Sequence, residues 1–260
     1  MPKKNKTNTS LGFTKKGVKD EKKEIIKSII TRDVKVVGKN ESQKELIRSF
    51  KDNEITICTG KAGSGKTYLA LAYALDLLRK TSNYYQKIYL IKSVTTLKGE
   101  EVGYLKGNLE EKIKPFMWSF TINMEKMHES HVVDQLLEAK VIEPLPLAFA
   151  RGASLDNCII IADEMQNISL DNSRTLLTRI GENSKMILLG DSNQIDLKNK
   201  KESSLDTLLQ IFDGVEGIGT IRMSDEDKNV RNPIIDVIES KYEEYEKSKM
   251  QISNGRPKAA

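Results

Sequence analysis

"GKAGSGKT", residues 60–67, stands between the apolar run "EITICT" (54–59) and the helix-forming "YLALAYALDLL" (68–78). Its spacing is Gly60, four residues, then Gly65-Lys66-Thr67, which is that of a phosphate-binding loop. Glycines let the backbone turn tightly enough for successive N–H groups to converge on phosphate oxygens at a helix N-terminus. Gly60, Lys61, Ala62, Gly63, Ser64 and Gly65 therefore form the expected cradle. Lys66 reaches the β- and γ-phosphates, and the Thr67 hydroxyl holds Mg²⁺. A glycine-rich surface turn is the bland alternative, but it needs neither the strand before the loop nor the helix after it. The stretch predicts a nucleotide site of the P-loop NTPase kind.

Four further apolar runs follow, "KIYLI" (87–91), "CIIIA" (158–162), "KMILLG" (185–190) and "IGTIRM" (218–223). With the run before the loop they predict five strands separated by helical segments. Such near-continuous β-branched runs belong to a mainly parallel sheet covered by helices on both faces, an α/β fold. Ligands on these sheets bind beyond the C-terminal strand ends. Two chemical groups fall there. Asp163 ends the 158–162 run, where a carboxylate helps to hold Mg²⁺, and Glu164 beside it is set to deprotonate a water attacking the γ-phosphate. "GDSNQID" (190–196) follows the next run, and Gln194 there is placed to touch both γ-phosphate and water. Carboxylates that merely cap the next helix are the structural alternative.

The 260 residues suit one domain, expected over 25–247. Residues 1–24 hold eight lysines and three acids, which predicts a disordered basic arm that either binds nucleic acid or only solubilises. Residues 248–260 are expected to be a flexible tail. The formal net charge of +5 is a mild pointer to a polyanionic partner. No apolar run approaches the length of a membrane span, and the basic N-terminus has no apolar core behind it, so no secretory signal is expected. Cys58 and Cys158 both fall in predicted strands and read as buried free thiols of a cytoplasmic protein. His128 and His131 in "MHESH" lack a third metal ligand and read as a solvated helix end. "NESQKELIRSF" (40–50) predicts a capped amphipathic helix whose Gln43 is either an adenine-reading amide or a surface side chain.

The phosphate loop, "LKGEEVGYLKGNLEEKIKPFM" (97–117), "IEPLPLAFARGASLDNCIIIADEMQN" (142–167) and "LLTRIGENSKMILLGDSNQIDL" (176–197) together resemble the PhoH family of phosphate-starvation-inducible ATPases. That family includes short versions carried by bacteriophages. The resemblance runs from about residue 40 to 238 and implies a RecA-like core akin to superfamily-one helicases. It also implies ATPase activity with Mg²⁺, a role in RNA metabolism, and adenine recognition by Gln43. Three departures stand out. Lys92-Ser93 replaces the family's Arg-Pro after the second predicted strand, "LKG" (105–107) replaces "LPG", and "DKNVRNP" (227–233) carries one extra residue before Arg231.

A helicase of that superfamily closes two RecA-like units on a strand, and this chain is long enough for one. Neighbouring subunits of a homo-oligomer, a hexameric ring by resemblance, are therefore expected to complete each site. Arg231 is the expected arginine finger and Arg151 its rival. Segment 97–150 is the expected nucleic-acid or subunit surface, with Lys98 and Lys106 among Tyr104, Phe116, Trp118 and Phe120, and with Arg151 nearby. The same aromatics also read as the core face of a helix. Three functions remain open at this point: an ATP hydrolase coupled to single-stranded RNA or DNA, a nucleotide-gated binding module with slow turnover, and a small-molecule kinase.

Overall fold

Strand β4 (Cys158–Asp163) is buried along its whole length, and its side chains divide strictly between two layers. Ile159 and Ile161 enter one apolar cluster, whereas Cys158, Ile160 and Ala162 enter another. Strand β5 (Lys185–Gly190) does the same, with Ile187 and Leu189 on one side and Met186 and Leu188 on the other. This period of two is what a sheet covered on both faces demands. Each fully buried Ile or Leu contributes about 1.5–3 kcal/mol relative to exposure, so these central strands hold the layers together.

The computed structural model describes residues 15–81, 84–93, 109–197, 199–224, 227, 229–230 and 232–254. Its sheet also contains β1 (Ile55–Thr59), β2 (Lys87–Lys92), β3 (Ile142–Pro144) and β6 (Ile218–Arg222). The order is β3-β2-β4-β5-β1-β6, and every pairing is parallel. On the first face lie α1 (Lys15–Ile29), α2 (Glu41–Asp52), α3 (Lys66–Lys80), α4 (Leu109–Glu125) and α5 (Ser130–Glu138). The second face is covered by α7 (Leu170–Leu177) and α8 (Leu205–Ile211), with the short α6 (Leu147–Ala150) before β4. Helix α9 (Ile234–Asn254) follows β6. The arrangement is the α/β P-loop NTPase fold that the apolar runs predict.

Several expectations change in detail. The sheet has six strands rather than five, because Ile142–Pro144 adds an edge beside β2. Residues 15–24, expected as part of a disordered arm, lie in α1, which Ile26 within it and Ile30 just past its end anchor in the core. Residues 248–254, expected as tail, continue α9. The aromatics of α4 do not share one fate. Phe120 is wholly buried and Trp118 is 69% exposed. Cys58 and Cys158 are buried free thiols, as expected. No helix among the described residues is long and apolar enough to cross a membrane.

What matters for function is adjacency. In the order β4-β5-β1 the three strands that end in Asp163, Gly190 and Thr59 are neighbours. The three polar loops that follow them must therefore share one edge of the sheet.

Candidate active site

The loop after β1 enters α3 through Gly65, whose φ of +89° is left-handed, two residues after Gly63 at +77°. These turns fold the Lys66 side chain back over its own loop. Its ammonium donates to the Gly60 carbonyl at 2.5 Å, the Lys61 carbonyl at 3.0 Å and the Ser64 hydroxyl at 3.2 Å. A cation held only by neutral oxygens exchanges them readily for phosphate oxygens. Thr67, one residue into α3, donates its hydroxyl to Asp163 Oδ2 at 3.0 Å across the cleft. Burial pushes the Asp163 carboxyl up, and the neighbouring Glu164 adds to this. Lys92 and the hydrogen bonds from Thr67 and the Glu164 N–H oppose it. A buried carboxylate beside a hydroxyl is a donor set that a divalent cation would satisfy.

These groups line a cleft of about 810 Å³, large enough for a nucleotide. Lys66, Thr67, Asp163, Glu164, Asp191 and Gln194 all face it, as do Ala62, Gly63 and Gly65. Asp191 is buried, which pushes its carboxyl up against the opposing pull of the Asn193 N–H, Lys66 and the Ala62 N–H. Glu164 is half-buried at the end of β4, with a left-handed backbone at φ +60°.

The other predicted residues are distributed unevenly. Gln43 faces the cleft but is only 2% exposed, because its amide is engaged by the backbone. Nε2 donates to the Ser64 carbonyl at 2.8 Å, and Oε1 accepts from the Lys39 N–H at 2.8 Å. The side chain thus ties the start of α2 to the phosphate loop, and each amide atom keeps one further valence for a ligand. Arg151 caps α6 on the exposed surface, 3.4 Å from Asn172 Oδ1, and is not among the residues around the cleft. Arg231, Lys98 and Lys106 lie outside the described residues.

Residues without a role among the sequence expectations also contribute, as does Lys92, which stands where the family has an arginine. Lys92, at the end of β2 in register with Asp163, lines the cleft and donates to Ser119 Oγ of α4 at 2.9 Å. Asn229 donates to the Ala62 carbonyl at 3.0 Å, and the Val230 N–H to Gly63 O at 3.2 Å, so the chain before α9 lies on the phosphate loop. Gln166 sits between the loops after β4 and β5. Asn229, Val230 and Gln166 have no local pattern to mark them.

The profile of the family described as PhoH-like protein matches residues 35–243, a stretch that holds the whole site. The chain belongs to the PhoH-like family. A PhoH-like protein of Synechocystis is 33% identical over 88% of this chain and 70% of its own length. One from Bacillus subtilis is 34% identical over 85% of this chain and 67% of its own. Protein PhoH of Escherichia coli is 29% identical over 74% of this chain, a match that spans 54% of that protein. PhoH-like proteins are P-loop, nucleotide-binding proteins, and the cleft between β1, β4 and β5 is where this one carries the loop.

Proposed function

We propose that this PhoH-like chain hydrolyses Mg²⁺-ATP and couples turnover to single-stranded nucleic acid, RNA foremost, in a helicase-like remodelling role in the cytoplasm of a bacterium or a phage-infected host. The observation that carries the hydrolase reading is the Thr67–Asp163 contact at 3.0 Å, with Glu164 next in sequence and in the same cleft as Lys66.

The loop N–H groups and the N-terminus of α3 bind the triphosphate, and Lys66 leaves its carbonyl partners for the β- and γ-phosphate oxygens. Thr67 and Asp163 would hold Mg²⁺, which when bound draws charge from the phosphate oxygens. Gln194 orients a water toward the γ-phosphate, and Glu164 accepts its proton as the new P–O bond forms and the bond to the bridging oxygen breaks. The adenine contact belongs to the free valences of Gln43. A carboxylate base in the same cleft as Lys66 and Thr67 favours hydrolysis over a kinase reaction.

Completion in trans is part of this reading. An arginine finger is worth roughly 10³ to 10⁵ in rate in phosphate-loop enzymes. Arg231 follows Val230, which lines the cleft, and is assigned that role from a neighbour in a closed hexameric ring. Arg151 is the rival. Mixing Arg231→Ala with Lys66→Ala protein should restore activity, because some interfaces then hold both an intact loop and an intact finger. No recovery in subunits shown to exchange would confine Arg231 to its own chain.

Phosphate release against added single-stranded RNA, single-stranded DNA and duplexes tests the coupling. Stimulation by single-stranded RNA is expected, with Lys98, Lys106 and Arg151 as contacts. Turnover without stimulation by any of them removes the coupling and leaves the hydrolase. A duplex-unwinding assay separates remodelling from the alternative, a nucleotide-gated binding module with slow turnover. That alternative is favoured by the one six-stranded unit among the described residues, since unwinding is the work of two such units on one strand.

A further inference from the structure

Gln166 is completely buried two residues after Glu164, and its amide is used on every side. Nε2 donates to Glu164 Oε2 at 2.6 Å and to the Gln194 carbonyl at 3.1 Å, while Oε1 accepts from the Asp191 N–H at 3.0 Å. The reverse orientation would set an amide oxygen against a carboxylate and a carbonyl, and an NH₂ against an N–H. Chemistry therefore permits one orientation. The packing agrees with it. A Cβ on Gly190 would come within 2.6 Å of Gln166 Oε1, so β5 ends in glycine where this amide docks.

We infer that Gln166 is a positioning residue for hydrolysis, orienting the Glu164 carboxylate and tying it to the loop that carries Asp191 and Gln194. The inference rests on the hydrolase reading above. Glu164 is half-buried and lies just past the end of β4, so the strand itself leaves its side chain free to rotate. Anchoring Oε2 selects one rotamer and leaves Oε1 to accept the proton of the attacking water. The same amide grips the following loop at two points, and that loop is closed on itself by the Gln194 N–H to the Asp191 carbonyl at 3.1 Å. Movement of this loop when Gln194 meets the γ-phosphate is passed to Glu164 through one planar group. Base and water-orienting side chain are thereby held in one register.

Two variants test this. Gln166→Met keeps length and removes all polar contacts. Gln166→Glu keeps an acceptor for the Asp191 N–H, removes both donors and sets a second carboxylate against Glu164. Each is made in the wild-type and the Glu164→Gln backgrounds, with kcat and KM for ATP, affinity for a non-hydrolysable ATP analogue, thermal unfolding, and hydrogen exchange of the Asp191 amide as readouts. In the wild-type background kcat should fall at least roughly tenfold with KM and analogue affinity within about threefold. In the Glu164→Gln background Gln166→Met should cost a clearly smaller fold-loss than in the wild type, because the part of its effect that runs through Glu164 is already absent. The Asp191 amide should exchange faster in Gln166→Met and retain protection in Gln166→Glu. Wild-type kcat in both variants, or the same fold-loss in both backgrounds, would overturn the inference. Should Gln166→Met fail to fold, Gln166→Glu decides alone. Wild-type protein that releases no phosphate overturns the hydrolase reading along with this one, whereas an active wild type with unaffected Gln166 variants overturns only this one.

Discussion

Asn229 lies directly on Gly63. Its amide donates to the carbonyl of Ala62 at 3.0 Å, and a Cβ built on Gly63 would fall inside that amide. Residues 167 positions apart in sequence are thus in contact at the centre of the phosphate loop, and the chain that leads into α9 forms one wall of the nucleotide cleft.

Gly63→Ala meets two obstacles at once, a φ of +77° and the Asn229 side chain. The left-handed backbone alone costs about 1–2 kcal/mol for a residue with a Cβ. The expected outcome is a lower unfolding temperature and at least a roughly tenfold loss of affinity for ATP analogues, as the loop opens to clear Asn229. Titration calorimetry that returns wild-type affinity, together with an unchanged melt, would show that this contact yields without consequence.

Lys66→Ala removes the ammonium that bonds Gly60, Lys61 and Ser64. It should abolish phosphate release and weaken nucleotide binding while leaving the fold intact, since the core lies below the loop. Retained turnover would mean that another cation, Lys92 foremost, serves the β- and γ-phosphates.

Glu164→Gln keeps shape and the contact with Gln166 but removes the base. Analogue binding should stay near wild type and hydrolysis should fall by roughly two orders of magnitude or more. Turnover at the wild-type rate would transfer water activation to Gln194 or to solvent.

Burial pushes the Cys58 thiol up to about 12 and the Cys158 thiol up to about 11, against an ordinary value of 9.0. Both stay protonated in the folded chain, and a protonated thiol is a poor nucleophile. A disulfide-exchange reagent at pH 8 should label neither cysteine until denaturant is added. The linkage has a definite sign. Below pH 9 both thiols are protonated in both states and the folded chain keeps its full stability. As pH rises from 9 toward 12 the unfolded chain ionises first, so stability falls across that window. Rapid labelling of the native protein, or thiol-linked stability that rises over the same range, would contradict this.

Much of the site was legible because it is local. The phosphate loop, Asp163 and Glu164 each follow an apolar run within a few residues, and a parallel sheet brings its strand ends together. Gln166 was invisible for the opposite reason. Its meaning lies in contacts with residues 191 and 194, and nothing near position 166 signals them. Asn229 is hidden in the same way. Strand β3 is three residues long and ends in proline, too short for any periodicity to register. The lysines of 15–24 suggested a solvated arm, yet Ile26 and Ile30 further along bury themselves and carry the helix with them. Gln43 was read for its ligand, whereas its backbone partners make it a brace for the loop.

The left-handed backbone of Glu164, φ +60° and ψ +39°, has a consequence for engineering. Glycine accepts that conformation without steric penalty and glutamate does not, by about 1–2 kcal/mol. Glu164→Gly relieves that strain, but it leaves one buried N–H of Gln166 without its acceptor and frees the unfolded backbone. The opposing effects are of similar size, so the melting temperature should stay within about 2–4 °C of the wild type while turnover ends. The Gln166 contact thus offsets the backbone cost of this position, and a directed-evolution campaign scored on heat resistance alone would have little reason to replace the base.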